Sequence, residues 1–123
     1  MASEAFGDLL RKYRQRSGLT LRNFCLKHGF DAGNYSRLER GRFPPPQKEE
    51  LLEKYATALE LSRGSDEWIE FFDAAATARG QIPKDLLDDA QLVAKLPLLF
   101  RTLRGKQLPP DRLDALIERI RKA

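Results

Sequence analysis

The stretch Leu19–Pro46, LTLRNFCLKHGFDAGNYSRLERGRFPPP, decides the fold. Thr20 is a good helix N-cap, because its side-chain oxygen can accept a bond from a first-turn amide. The segment it opens, Leu21 to His28, places Leu21, Phe24, Cys25 and His28 on one face, and Gly29 ends it by accepting a left-handed conformation. Two residues later Asp31 caps a second short segment, Ala32 to Arg40, with Tyr35 and Leu38 facing inward and Gly41 as its stop. The prolines at 44–46 forbid any continuation of that helix. Two short helices joined by a tight turn are the result.

Outward from this pair, apolar residues recur at three- and four-residue spacing, with no strand-like alternation, repeat or low-complexity tract, so the fold class is all-α. Upstream, Phe6, Leu9, Leu10 and Tyr13 define an amphipathic helix of about Glu4 to Ser17, capped by Ser3 and ended by Gly18. Downstream, Pro46 suits the first turn of a fourth helix, which Leu51, Leu52, Tyr55 and Leu59 carry to about Leu61. Ser62, Gly64 and Ser65 form a small-residue linker. Ser65 caps a fifth helix, with Asp66 and Glu67 in its first turn and a stripe of Trp68, Ile69, Phe72 and Ala75, ending near Gly80. After Pro83 come a short helical stretch and a run of Leu92, Leu96, Leu99, Phe100 and Leu103, which Pro97 is expected to break so that a new helix starts there. Gly105–Pro110 reads as a loop. Leu113, Leu116, Ile117 and Ile120 mark a last amphipathic helix of about Pro110 to Lys122. Residues 1–80 therefore read as one domain and residues 81–123 as a helical C-terminal extension, a hairpin with one apolar face per arm.

A chain of 123 residues leaves room for one domain with an appendage, and 41% hydrophobic residues supply a core. A single Cys and a single His exclude an internal disulfide and a four-ligand Cys/His zinc site, which fits a reducing, cytoplasmic setting. The opening MASEAFGDLL has no apolar core of a signal peptide, and no apolar run approaches membrane-spanning length, so the chain is expected to be soluble. No paired carboxylates in an apolar setting, glycine-rich phosphate loop or nucleophile with its base is found. The expectation is a protein that is not an enzyme and needs no cofactor or metal. His28 lies three residues from Cys25, but no third ligand or orienting carboxylate stands nearby in sequence. The net charge is +4, and residues 1–64 carry all of it, with 12 basic against 8 acidic side chains; residues 65–123 balance at 10 against 10. The excess surrounds the helix pair and points to an anionic partner.

The residues Leu9–Pro46, above all Tyr35 to Gly41 followed by prolines, and then Leu51–Leu61 (LLEKYATALEL), resemble the Cro and lambda-repressor type of helix-turn-helix domain, also called the xenobiotic-response-element family of bacterial and phage regulators. The resemblance covers about half of the chain. It implies a five-helix domain whose third helix enters the major groove of double-stranded DNA while the second crosses the backbone, in a homodimer on a two-fold related site. It implies base contacts from Ala32, Gly33, Asn34, Ser36 and Arg37, with Asn34 suited to adenine and Arg37 to guanine. Ala32 and Gly33 depart from the longer polar residues of many relatives, which leaves thymine-methyl contact or close backbone approach to them. Thr20, Arg22, Asn23, Arg40 and Arg42 match phosphate-contacting positions. Leu21 stands where relatives often have Gln, so Arg22 or Asn23 must replace that clamp. Arg14 and Glu39 match the family's internal ion pair and so take a structural role.

The implied function is sequence-specific transcriptional regulation, as a repressor. Three uses of the extension stay open. Its apolar faces can cover the DNA-binding core or make the homodimer, or they can bind a cognate toxin or peptidase, which would make the chain an antitoxin or regulatory partner.

Overall fold

A computed structural model describes residues 2–106 and 108–122. Their regular structure is α1 (Ala2–Arg16), α2 (Leu21–His28), α3 (Ala32–Glu39), α4 (Glu49–Ala58), α5 (Asp66–Ala78), α6 (Lys84–Leu87), α7 (Ala90–Lys106) and α8 (Pro110–Lys122). No strand occurs among the described residues. The chain divides into two units between Pro83 and Lys84.

In the N-terminal unit, α1 is the central element and packs on both α3 and α5. Its apolar stripe is why: Phe6, Leu10 and Tyr13 are at most 1% exposed. The Phe6 ring meets Phe71 of α5 at 5.1 Å between centroids, while Phe24, Phe30, Tyr35 and Tyr55 form an aromatic cluster joining α2, α3 and α4. The close approach of α1 to α3 depends on Gly7, where a Cβ would lie 2.6 Å from the Leu38 carbonyl oxygen and nearer still to that of Glu39. Nothing in the apolar periodicity singles Gly7 out.

The helix starts follow local chemistry. Thr20 accepts from the Asn23 amide at 3.2 Å, Asp31 from Asn34 at 2.9 Å and Ser65 from Trp68 at 3.2 Å. Where the chain departs from the periodicity, a neighbour decides. Helix α4 begins at Glu49 rather than at Pro46: Lys48, at φ −73° and ψ 120°, is still extended and stands as the N-cap residue. It ends at Ala58 rather than Leu61: Glu60 turns left-handed (φ 62°) and the Leu61 amide returns to the Ala56 carbonyl at 3.0 Å, which buries Leu61. On α5 the buried stripe is Phe71 and Ala75, flanked by Trp68 and Phe72; Ile69 is 48% exposed, so the expected stripe is corrected by rotation toward Phe71.

In the C-terminal unit, Pro97 does not break the run. It lies inside the 17-residue α7, because a proline removes only its own amide bond and the residues on both sides are good helix formers. Asp89 starts this helix, its carboxylate accepting from the Gln91 and Leu92 amides at 3.1 Å each. Gly105, expected in a loop, also belongs to α7; Gln107 of that expected loop lies outside the described residues. Helix α8 spans Pro110–Lys122, and no described residue of α6, α7 or α8 is buried. The apolar faces of α7 and α8 include Leu98, Phe100, Leu116 and Ile117, which are 59%, 41%, 36% and 44% exposed. No described helix is long and apolar enough to cross a membrane.

Candidate nucleic-acid interface

Helices α2 and α3 pack together across the three residues Gly29, Phe30 and Asp31. The turn is set by Gly29 in the left-handed region (φ 72°) and by the Phe30 amide, which donates to the Cys25 carbonyl at 2.9 Å. Phe30 then enters the aromatic cluster, and Asp31 caps α3. Tyr35, Leu38 and Glu39 bury one face of α3. At about 100° per residue, Gly33, Arg37 and Arg40 stand on the opposite face, with Asn34 and Ser36 at its flanks. Ala32, Gly33, Asn34 and Arg37 are exposed and Ser36 is half-buried.

An ion pair adds to Tyr35 and Leu38 in holding that face relative to the core. Arg14 Nε and Nη2 donate to the Glu39 carboxylate at 2.6 and 2.9 Å, a bidentate arrangement, while Nη1 donates to the Leu19 carbonyl at 3.1 Å. The Glu39 side chain is 3% exposed and that of Arg14 is 11% exposed. Arg14 thereby joins α1, the turn before α2 and the end of α3, and its bond to Glu39 raises its already high pKa. The interior beside this pair is otherwise apolar: burial pushes the Cys25 thiol and the Tyr35 phenol above their ordinary ranges. Cys25, 2% exposed, packs as a small core residue of this interior.

The remaining polar residues lie at the two ends of the helix pair. Thr20, Arg22 and Asn23 open α2; all three are exposed, with Thr20 Oγ1 engaged by its cap bond. Arg40 lies back along α3, its Nε donating to the Ser36 carbonyl at 3.4 Å, and Arg42 follows Gly41 at the exit. Among the described residues, no carboxylate ion-pairs with Arg22, Arg37, Arg40 or Arg42. Arg37 is not loose, however. Its Nη1 donates to Asn34 Oδ1 at 3.4 Å, and its guanidinium carbon lies 5.4 Å from the centroid of the Phe43 ring. Phe43 escaped the reading of the sequence. The signal available was an aromatic residue set directly before three prolines, outside every apolar stripe.

Elsewhere the surface carries less chemistry. An open groove of about 560 Å³ is lined by His28, Phe30, Glu50, Glu53, Lys54 and Arg63, of which Arg63 and Glu53 are ion-paired at 3.1 Å. No group of three or more His, Cys, Asp or Glu fit to hold a metal occurs among the described residues.

A capped helix pair on a three-helix support, with an exposed polar and cationic face on the second of the pair, is a helix-turn-helix DNA-binding domain. Residues 5–68 match the family described as a helix-turn-helix domain, more than half of the chain. The chain belongs to this family, and the domain is of the Cro and lambda-repressor type. No curated protein and no solved structure matches it.

Proposed function

We propose that the chain is a sequence-specific, double-stranded DNA-binding transcriptional repressor that acts as a homodimer in the cytoplasm. The carrying observation is α3: one face is locked into the core by Tyr35, Leu38 and the Arg14–Glu39 pair, and the other presents exposed polar side chains. In this reading Ala32, Gly33, Asn34, Ser36 and Arg37 face base edges, and Arg37 pairs with a guanine. Thr20, Arg22, Asn23, Arg40 and Arg42 hold phosphates on either side and set the register without reading sequence. Residues 1–80 carry the DNA-binding function, and residues 81–123 the oligomeric one.

The uncovered apolar faces of α7 and α8 favour an extension that works against another chain. A second copy fits the two-fold symmetry of operator binding. A cognate toxin or peptidase is the second reading, and it predicts co-purification with that protein. Selection of duplexes from a random pool tests the function directly. A palindromic consensus, bound with a steep loss of affinity as salt rises, is expected. A pool that stays random, or binding indifferent to salt, refutes it.

A further inference from the structure

One residue at the exit of α3 has no part in the core. Helix α3 ends with Gly41 left-handed (φ 71°), its amide donating to the Leu38 carbonyl at 3.1 Å and the Arg42 amide to the Arg37 carbonyl at 2.9 Å. This bond pattern turns the chain back along the helix it has just left. The Phe43 amide consequently also points at the Arg37 carbonyl, at 3.4 Å, and Pro44 holds Phe43 extended. Phe43 is 41% exposed, and the Arg37 guanidinium carbon lies 5.4 Å from the centroid of its ring, within cation–π range. Asn34 Oδ1 accepts from the same guanidinium. Gly33 lies beside the same guanidinium: a Cβ there would make ordinary contact with Arg37 Nη1, at 3.5 Å, and a tighter one with Asp31 Oδ1, at 3.2 Å.

Resting on the DNA-binding reading above, we propose that Phe43 is a positioning residue for sequence readout, its ring holding Arg37 in the orientation in which it meets a guanine. An aromatic face suits this task. A carboxylate would orient the arginine but neutralise it, whereas a ring leaves the charge and the bidentate fork free for the base. A guanidinium already held also loses less rotamer freedom on binding than a free one. Arg22 and Arg42, which are assigned to phosphates, have no aromatic partner among the described residues, and a contact that needs only charge requires none.

The test uses the full chain, a duplex obtained by selection and a scrambled duplex, with affinities from fluorescence anisotropy. Phe43→Ala is expected to cut the preference for the selected duplex about two- to fivefold, the worth of an exposed cation–π contact. Its affinity for the scrambled duplex and its Tm should be unchanged. Phe43→Tyr should restore the preference, and Arg37→Ala combined with Phe43→Ala should be no less selective than Arg37→Ala alone. If Phe43→Ala keeps the preference that Arg37→Ala loses, or if the two losses multiply, the positioning role is overturned while base readout by Arg37 stands. If Arg37→Ala itself keeps the preference, base readout by Arg37 fails and the positioning role falls with it.

Discussion

Replacing Arg14 by Met keeps most of the aliphatic stem and removes the cation from a carboxylate that is 3% exposed. The Glu39 oxygens lose two charge-assisted bonds of 2.6 and 2.9 Å, and the Leu19 carbonyl loses its donor. Breaking one side of a buried pair costs about 3–5 kcal/mol. Arg11 Nε stays 3.7 Å from Glu39 Oε1 and compensates in part, which places the expected loss near the lower end, about 3 kcal/mol. For a domain of this size each kcal/mol moves the midpoint by about 4–8 °C, so thermal unfolding followed by circular dichroism should show Tm lower by about 12–24 °C. The double variant Arg14→Met with Glu39→Leu removes both charges and should recover most of that loss, since apolar replacement of a whole buried pair is often neutral. A single-variant loss below about 1 kcal/mol, the range of an exposed pair, would refute the argument that burial gives this pair its weight. A double variant as unstable as the single one would refute the electrostatic explanation.

Three further outcomes follow from the same structure. Gly7→Ala gains about 1 kcal/mol of helix propensity but drives a methyl into the Leu38 and Glu39 carbonyls, for a net loss of about 1–2 kcal/mol in urea unfolding; a stabilised variant would show that α1 and α3 are not so close. Glu60→Gly relieves a left-handed backbone at φ 62° and should add about 1 kcal/mol, read in the same assay; a loss would mean that Glu60 makes contacts worth more than the strain. Burial pushes all three tyrosine phenols upward, Tyr35 furthest. Their folded pKa values exceed the unfolded value of about 10, so this contribution to stability is complete below that pH and is lost as pH rises beyond it. Phenolate absorbance at 295 nm should therefore appear together with alkaline unfolding; normal titration in the folded state would contradict the buried positions.

Much of the local structure is legible in the chain itself. Thr20, Asp31 and Ser65 cap the helices that follow them, and Gly18, Gly29, Gly41 and Gly80 take the left-handed conformation just after helix ends, because caps depend on neighbours within three or four residues. The all-helical fold and the helix pair were readable for that reason. Arg14 and Glu39 are different: 25 residues separate them, and no periodicity links them, so only the resemblance to a known family pointed to the pair before the structure supplied the bonds. Pro97 misled because proline is a strong local breaker, yet the helix around it tolerates the loss of one bond.

What this sequence determined alone was therefore the set of helices, the placement of their caps and the location of the charge excess, all governed by short-range chemistry. What the tertiary structure decided was contact between segments. Gly7 is a helix glycine in sequence and becomes a point of backbone approach only when α3 lies against α1. Phe71 displaces Ile69 from the core because α1 presents Phe6 at that height. Phe43 looks like a stray aromatic residue before three prolines until the left-handed Gly41 folds the chain back and brings its ring beneath Arg37. Those relations depend on the direction in which each helix leaves its turn, and that direction is set by packing rather than by spacing along the chain.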